Sequence, residues 1–251
     1  MKEERKYVLS IAGFDPSGGA GVLADVKTFE AHKVYGLGVI TANTFQNDTE
    51  FLRADWVPVE KILEQIDVLS KRFSFDHVKI GLVENLDVLL KIVNHCVGVI
   101  ANCRVTWDPI LKASAGFEFH KTPDLAKLET VLKKIFLITP NVPEALSLGK
   151  ENAAEKNALH LSGFVHVFLK GGHRAEKTGY DALFMKEGKQ FSFRPHIKNI
   201  SAKHGSGCVL ASAITANLAR GEDLQRACLK GKDYVEKFLS SNKSLMGYHK
   251  L

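Results

Sequence analysis

Short apolar runs alternate with helix-patterned stretches along most of this chain, and this alternation constrains the fold most strongly. The predicted strands are residues 7–13, 36–43, 77–83, 104–108, 135–139 and 164–169. The predicted helices between them are residues 20–32, 59–72, 86–96, 122–134 and 141–148. Continuous apolar strands joined through helices are typical of a parallel sheet covered on both faces. The sequence predicts a single α/β domain over residues 1–251, with a mostly parallel central sheet.

Two segments depart from this alternation. Residues 180–185 and 190–193 flank Lys186-Glu187-Gly188-Lys189, which predicts a β-hairpin. The polar residues 44–55 predict a loop or a lid. The last stretch is predicted as two helices, residues 207–220 and 224–239.

The composition is that of a globular protein and disfavours several function classes. The 251 residues are 45% hydrophobic and 25% charged, and the net charge of +6 comes from scattered lysines. Without a basic run interleaved with aromatic residues, nucleic-acid binding is disfavoured, whereas anionic small molecules fit. The four cysteines (Cys96, Cys103, Cys208 and Cys228) lack zinc-site spacing. With no signal peptide and no apolar stretch of membrane-spanning length, a cytoplasmic protein is expected.

Polar and glycine-rich residues stand where the predicted strands end. They are Gly13 with the loop to Gly21, Gln46, Asp108, Asn141 with Glu144, and Lys170. Ligands of open α/β sheets bind at the carboxyl ends of the strands, so these positions predict a site. The glycine-rich loop is neither G-x-G-x-x-G nor a P-loop, because no lysine follows its last glycine. Asp25, inside the following helix, either reaches back to this site or is a solvated first-turn carboxylate.

The turn from His204 to Cys208 (HGSGC) opens directly into a predicted helix. Backbone N–H groups at a helix start are unpaired and carry the positive end of the helix dipole, which favours anions. Gly205 and Gly207 lack Cβ, so a phosphate can approach the main chain closely. The dipole is expected to lower the pKa of the Cys208 thiol. A reactive group beside an anion site indicates phosphate or acyl transfer. The alternative is a glycine-rich cap with a buried, inert cysteine.

Asn141 and Glu144 are three residues apart at a predicted helix start, so their side chains share one face. Their oxygens can hold hydrated Mg²⁺, and the alternative interpretation is a helix capping box. Lys170 ends a predicted strand, where its ammonium can contact phosphates. Asp108 either lines the cleft or caps a turn, and His173 either contacts a ligand or is solvated.

Six short segments occur in order along the chain: residues 10–29 (SIAGFDPSGGAGVLADVKTF), 39–47 (VITANTFQN), 79–81 (KIG), 137–145 (LITPNVPEA), 170–173 (KGGH) and 204–208 (HGSGC). Together they resemble the hydroxymethylpyrimidine/phosphomethylpyrimidine kinases of thiamine biosynthesis, within the ribokinase-like superfamily. The resemblance implies a three-layer α/β/α sandwich. It also implies that ATP and Mg²⁺ are used to phosphorylate a pyrimidine hydroxymethyl group and then the monophosphate.

The resemblance assigns the pyrimidine pocket to five positions. Asp25 and Gln46 are expected to hydrogen-bond the aminopyrimidine edge. Gly13, Leu82 and Ile110 are expected to line the pocket. The expected partner is therefore a small pyrimidine, bound by a protein that is expected to be a homodimer.

The resemblance also assigns the phosphate side. Asn141 and Glu144 are expected to hold Mg²⁺ (through water) and the phosphates, and Lys170 to contact the ATP phosphates. The amides of the turn are expected to stabilise the transferred phosphoryl group; this turn comprises Gly205, Ser206, Gly207 and Cys208. The Cys208 thiolate is expected to accept the hydroxymethyl proton.

The chain departs from the family pattern at several positions, which leaves alternatives open. Phe14 and Leu23 replace a small hydroxyl residue and a glutamine, and residues 112–117 (KASAGF) replace the usual Ser-Gly-Asp segment. One alternative is a pyridoxine or pyridoxal kinase, against which Gln46 weighs. Another is a non-catalytic pyrimidine-binding homologue. A cysteine-dependent acyl hydrolase is disfavoured, because no His–Asp pair stands out among the motifs.

Overall fold

The computed structural model of the protein describes residues 5–111, 124–172, 179–197 and 200–249. The strands are β1 (Tyr7–Phe14), β2 (Tyr35–Gln46), β3 (Phe51–Trp56), β4 (His77–Ile80), β5 (Arg104–Trp107), β6 (Leu137–Ile138), β7 (His166–Leu169), β8 (Asp181–Phe184) and β9 (Gln190–Phe193). The helices are α1 (Gly21–Ala31), α2 (Val59–Arg72), α3 (Leu86–Val99), α4 (Leu125–Leu132), α5 (Val142–Ser147), α6 (Ala154–Leu161), α7 (Ser206–Ala219) and α8 (Leu224–Leu239).

The strands form one sheet in the order β3-β2-β1-β4-β5-β6-β7-β8-β9. All neighbouring strands from β2 to β7 are parallel. Antiparallel pairs occur only towards the two sides, where β3 joins β2 and the β8–β9 hairpin joins β7. The carboxyl ends of the parallel strands therefore lie along one edge of the sheet.

Helices cover both faces of the sheet, as the sequence predicts. Helices α2 to α6 bury apolar residues such as Ile66 and Ile92 against one face. Helices α1, α7 and α8 pack on the other face, where Val209 and Val235 meet Phe168. Helix α7 is buried from Cys208 to Ala219, which agrees with its apolar character all round.

Two segments differ from the sequence-based prediction. Residues 44–55, predicted as a loop or lid, form the end of β2 and most of β3, with Thr44 opposite Ala54. The strand was missed because β3 lies at the sheet edge and has no buried residue, so the apolar periodicity of a core strand is absent. Helix α6 was not predicted. The predicted helix start at Thr122 lies outside the described residues, and α4 follows the N-cap Asp124. None of the helices in the described ranges has the length and apolar character that a membrane crossing requires.

Candidate active site

The predicted site residues gather at the carboxyl edge of the parallel strands. Each lies in or just after a strand end: Gly13 in β1, Gln46 in β2, Leu82 after β4, Asp108 and Ile110 after β5, Asn141 after β6, and Lys170 after β7. Asn141 and Lys170 form an isolated parallel bridge that extends the β6–β7 pairing. The predicted site residues at the strand ends thus lie along one edge of the sheet.

The glycine-rich loop after β1 is fixed against the turn before α7. His204 Nε2 lies 2.8 Å from Asp15 Oδ2, and both side chains are buried. Burial opposes ionisation of Asp15, but its hydrogen bonds to His204 and Ser17 outweigh that effect and lower its pKa. Gly205, the N-cap of α7, has φ of 71°. A Cβ there would lie 2.0 Å from the Gly19 carbonyl oxygen, so glycine is required.

Cys208 lies in the first turn of α7, but the expected lowering of its thiol pKa is wrong for this structure. Burial raises the pKa of Cys208 to about 11. The Lys79 ammonium acts in the opposite direction, whereas Asp25 and Asp108 add to the increase. A hydrogen bond from the Gly21 backbone N–H to Cys208 also favours the thiolate. Desolvation therefore exceeds the charge and dipole effects that the sequence analysis considered.

Asp25 lies in a closed, fully buried cluster, which we call the Lys79 cluster: Ser10, Asp25, Lys79 and Ser212. Lys79 Nζ donates to both carboxylate oxygens of Asp25, at 3.0 and 2.8 Å. Ser10 Oγ donates to Oδ2 at 2.6 Å and Ser212 Oγ to Oδ1 at 2.7 Å. The Asp25 and Lys79 side chains are 0% exposed. Asp25 is thus not a solvated first-turn carboxylate, and its two oxygens already accept four hydrogen bonds from protein.

The expected pocket residues are close neighbours at the ends of β1 and β2. A Cβ on Gly13 would lie 3.1 Å from Leu82 Cδ2 and 3.5 Å from Thr44 Cγ2. Gln46 Nε2 donates to Thr44 Oγ1 at 2.8 Å, which leaves the Gln46 carbonyl oxygen outside that bond. Ile110 lies in the connection after β5 and is half-buried. Its backbone N–H donates to the Asp108 carbonyl at 2.9 Å.

A second group of charged residues, the Lys170 cluster, comprises Asp108, Thr139, Glu144 and Lys170. Lys170 Nζ donates to Asp108 Oδ1 at 2.8 Å and lies 3.6 Å from Glu144 Oε2. Thr139 Oγ1 donates to the same Asp108 oxygen at 2.9 Å. Burial opposes the charge on Lys170, but Asp108 and Glu144 outweigh it and raise the lysine pKa. Burial likewise opposes ionisation of Asp108, and Lys170 and Lys79 lower its pKa. The cluster therefore holds a lysine ammonium beside a charged Asp108.

Asn141 and Glu144 form the capping box that was the alternative interpretation. Asn141 Oδ1 accepts the Glu144 N–H at 2.8 Å, and Glu144 Oε2 accepts the Asn141 N–H at 2.7 Å. Burial raises the pKa of Glu144 to about 7; Lys170 acts against this shift and Asp108 adds to it. The box does not exclude a ligand role, because the same arrangement holds the Glu144 carboxyl group beside Lys170.

The Lys170 cluster adjoins the turn before α7. A Cβ on Gly207 would lie 3.4 Å from Lys170 Nζ and 3.6 Å from Asp108 Oδ2. The absence of a side chain at Gly207 thus brings the first backbone amides of α7 next to a lysine ammonium. Two features that favour phosphate, a helix N-terminus and a fixed cation, converge there.

Sequence reasoning missed several residues that shape this site. Lys79 stands in β4, whose four residues are all buried. A lysine in such a strand requires a carboxylate partner, and this signal was available. The Asp15–His204 pair joins residues 189 positions apart, which no local motif reveals. That pair holds the glycine-rich loop against the turn before α7. The hydrogen bond to Cys208 comes from the Gly21 N–H and not from a histidine. His173 and residues 112–117 lie outside the described residues.

Comparison with known proteins shows the family of the chain. The phosphomethylpyrimidine kinase family model matches residues 15–250. A hydroxymethylpyrimidine/phosphomethylpyrimidine kinase from Aquifex aeolicus is 34% identical over 249 residues, which cover 94% of this chain and 95% of the relative. A solved phosphomethylpyrimidine kinase from Clostridium difficile is 29% identical, with a TM-score of 0.76 over 93% of this chain and 99% of that one.

The fold is also shared with a pyridoxal kinase. The Staphylococcus aureus enzyme in complex with ADP superposes with a TM-score of 0.84, over 99% of this chain and 92% of that one, at 24% identity. At that identity the likeness concerns the fold. The family match covers residues 15–250, nearly the whole chain. The chain belongs to the phosphomethylpyrimidine kinase family.

Proposed function

We propose that this protein transfers a phosphoryl group from ATP to 4-amino-5-hydroxymethyl-2-methylpyrimidine, and then a second one to the monophosphate, in thiamine biosynthesis. The observation that carries the proposal is the contact between the Lys170 cluster and the turn before α7, with Cys208 one residue beyond Gly207. Phosphoryl transfer requires positioning and charge stabilisation more than covalent chemistry. This edge of the sheet supplies two fixed groups for these tasks, the first backbone amides of α7 and the Lys170 ammonium.

The nucleotide is proposed to bind on the Lys170 side. The Lys170 ammonium contacts the ATP phosphates, and the amides of Gly205, Ser206, Gly207 and Cys208 stabilise the charge on the transferred group. The ADP in the Staphylococcus aureus pyridoxal kinase structure, with which this chain shares its fold, supports an adenine nucleotide as the donor.

A magnesium ion fits the chemistry of the same cluster. No group of three or more His, Cys, Asp or Glu side chains within the described ranges is arranged to hold a metal. Mg²⁺ with a nucleotide needs only one or two carboxylates, because phosphates and water complete its shell. Glu144, with Asn141 beside it, and Asp108 supply hard oxygen donors next to Lys170. When bound, the ion neutralises developing charge on the phosphates.

The pyrimidine is proposed to bind on the side of β1 and β2. Gln46 hydrogen-bonds its amino edge, and Gly13, Leu82 and Ile110 form the apolar wall. Asp25 remains a proposed ring contact, but its four hydrogen bonds within the Lys79 cluster mean that one must be released for it to act directly.

Cys208 is proposed to accept the proton of the substrate hydroxymethyl group. The substrate oxygen then forms a bond to the γ-phosphorus, the bond from phosphorus to the ADP oxygen breaks, and ADP leaves. Only the thiolate form of Cys208 can accept this proton, and the thiol pKa of about 11 makes the thiolate a minor form of the ligand-free protein at neutral pH. Lys79 and the Gly21 N–H are the groups that favour the thiolate against burial. General-base assistance of this kind contributes about 10²–10⁴-fold to a rate.

The proposal includes a single domain over residues 1–251 that works as a homodimer in the cytoplasm. One continuous sheet across the described residues supports the single domain. Light scattering on the purified protein measures the mass in solution and tests the dimer directly.

The first experiment measures ADP release from the purified protein with Mg-ATP and three acceptors side by side. The acceptors are hydroxymethylpyrimidine, its monophosphate and pyridoxal. Turnover of both pyrimidines, with little turnover of pyridoxal, supports the proposal. Turnover of pyridoxal alone assigns the protein to vitamin B6 metabolism instead. No turnover of any acceptor, together with pyrimidine binding, identifies a non-catalytic homologue.

A further inference from the structure

Helix α8 contributes a buried lysine that the proposed reaction does not use. The Lys232 side chain is 3% exposed. Its ammonium donates to Asp181 Oδ2 at 2.9 Å and to the Gly179 carbonyl at 2.6 Å, and it lies 3.0 Å from Glu236 Oε1. We call Asp181, Lys232 and Glu236 the α8 cluster. Its three charges come from β8 and from one face of α8.

The Asp181 carboxylate fixes the backbone next to Lys170. Asp181 Oδ1 accepts the Gly171 N–H at 2.6 Å. Gly179 N–H donates to the Gly171 carbonyl at 3.0 Å, so Lys232 and Asp181 bind the two partners of that backbone bond. A Cβ on Gly171 would lie 1.8 Å from the Tyr180 carbonyl oxygen. Gly171 is therefore held from three directions, immediately after the lysine proposed to contact the ATP phosphates.

The third member of the cluster holds another stretch of backbone. Glu236 Oε2 accepts the N–H groups of His196 and Ile197, at 2.8 and 3.1 Å. Its other oxygen pairs with Lys232, so one ammonium is shared by two carboxylates. The three charges tie α8 to the backbone at Gly171, Gly179 and the 196–197 segment.

Burying three charges costs free energy unless each charge has its partners. Burial raises the pKa of Asp181, against the effect of Lys232 and of the Gly171 N–H, and Glu236 adds to the increase. Buried ion pairs contribute little net stability compared with apolar residues of similar volume. The cluster instead fixes the backbone. Asp181 binds the Gly171 N–H, Lys232 binds the Gly179 carbonyl, and Glu236 binds the N–H groups of residues 196–197. Apolar side chains could not form these hydrogen bonds.

We propose that Lys232 is a positioning residue for nucleotide binding: through Asp181 and the Gly179 carbonyl it holds Gly171 and thereby aims Lys170 at the phosphates. This inference depends on the proposed function, because Lys170 receives its role there. The Lys232 ammonium binds Asp181, the Gly179 carbonyl and Glu236, and Asp181 holds the backbone next to Lys170. Its effect should therefore fall on the nucleotide and spare the pyrimidine.

The test measures the Kd of ADP and the Kd of hydroxymethylpyrimidine by calorimetry, without turnover, for the wild type and three variants. Lys232→Met removes the ammonium, and Lys237→Met removes an exposed lysine from the same helix as a matched control. Asp181→Asn keeps an oxygen that can accept the Gly171 N–H but removes the charge. We expect Lys232→Met to weaken ADP binding about 10–30-fold, with the pyrimidine Kd within about 2-fold. Lys237→Met should change neither.

The outcomes separate the inference from the proposed function. If the wild type itself fails to bind ADP, the proposed function fails. If the wild type binds ADP and folded Lys232→Met binds it equally well, the positioning role is overturned. If both Kd values rise together, Lys232 is merely structural and the proposal is also overturned. Should Lys232→Met not fold, Asp181→Asn decides: an ADP-selective loss of about 3–10-fold supports the role, and unchanged ADP binding overturns it.

Discussion

The Lys79 cluster and the Lys170 cluster use the same two kinds of charged group in opposite ways. In the Lys79 cluster, lysine and aspartate are 0% exposed and two serine hydroxyls complete the aspartate's bonds. In the Lys170 cluster, the lysine side chain is 12% exposed, lies at a strand end and is shared between two carboxylates. The first cluster joins β1, β4, α1 and α7 inside the protein. The second opens toward the start of α7.

The difference between the two clusters bears on the proposed phosphate contact of Lys170. In the Lys79 cluster both Asp25 oxygens are already bonded within the protein, so Asp25 and Lys79 mainly fix the elements that carry them, and Asp25 must release a bond to contact a ligand. The Lys170 ammonium has three N–H donors, so it can keep its hydrogen bond to Asp108 and still donate to a phosphate. Cys208 lies under the electrostatic influence of both clusters, since Lys79, Asp25 and Asp108 all shift its pKa.

The largest expected effect comes from opening the closed cluster. Lys79→Met leaves the Asp25 carboxylate buried without a counter-charge, and we expect the free energy of unfolding to fall by about 3–5 kcal/mol. Urea denaturation measures this loss. The double variant Lys79→Met/Asp25→Asn removes both charges and should recover more than half of it. A loss below about 1 kcal/mol for the single variant would contradict the closed-cluster interpretation.

Replacing Cys208, whose thiol pKa both clusters influence, should lower turnover and leave stability little changed. Cys208→Ala is expected to lower kcat about 100-fold or more, because the proton acceptor is lost, with the ADP Kd within about 2-fold. Steady-state kinetics and calorimetry measure the two quantities. Cys228→Ala, at a buried cysteine on α8, is the matched control. Near-normal turnover of Cys208→Ala would remove the cysteine from the proposed mechanism.

Breaking the open cluster should mainly cost nucleotide affinity. Lys170→Met is expected to lower kcat/KM for ATP about 30-fold, or roughly 2 kcal/mol, because one phosphate contact is lost. Its free energy of unfolding should fall by less than that of Lys79→Met. Steady-state kinetics and urea denaturation of both lysine variants separate a loss of nucleotide affinity from a loss of stability. The contrast disappears if Lys170→Met is destabilised as strongly as Lys79→Met.

The open cluster should also make stability depend on pH. The Glu144 pKa is raised from 4.5 to about 7, so the folded state retains a proton that the unfolded chain loses. Its contribution to stability is fully present below pH 4.5 and is lost as pH rises through 7. We expect the Tm of Glu144→Gln relative to wild type to rise by about 3–6 °C between pH 5 and pH 8. A constant difference across this range would argue against the raised pKa.

The smallest effect is expected on the pyrimidine side. Gln46→Ala removes one hydrogen bond to the proposed substrate, worth about 1 kcal/mol, so KM for hydroxymethylpyrimidine should rise about 5–10-fold. KM for ATP should stay within about 2-fold. Gln65→Ala, at an exposed glutamine on α2, is the control. Equal losses for both substrates would mean that the contact assignment is wrong.

Much of the fold could be predicted because its core strands are short apolar runs. Strands such as β4 and β7 carry buried residues at successive positions, and the helices between them are amphipathic. The exceptions lie where that signal is weak. Strand β3 has no buried residue, and α6 has exposed charged residues in its first turn. Edge strands and short polar helices form because of contacts with the rest of the fold, and the local sequence does not indicate these contacts.

The position of the candidate site residues in the fold could be predicted, but their electrostatics could be predicted only in part. Gln46, Asn141, Glu144 and Lys170 could be placed because parallel strands bring their ends to one edge. The raised Cys208 pKa fits the buried cysteine that the sequence analysis kept as the alternative; the expected lowering was wrong because the dipole argument left the burial of α7 out of account. The partners of Asp25 come from β1, β4 and α7, and such long-range contacts leave no mark on spacing.

The order of strands across the sheet also sets an order for synthesis on the ribosome. From β4 to β9 each new strand joins beside the one made before it, so the sheet can grow as the chain emerges. Helix α7 is made after all nine strands, yet it packs against α1 through Val209 and Ala24, and Ala216 meets Phe29. A nascent chain that lacks α7 therefore exposes the apolar face of α1 and lacks the proposed phosphate site. Domains generally fold as units, from the N-terminus onward, and here the burial of α1 and the assembly of the proposed phosphate site both wait until α7 has been made.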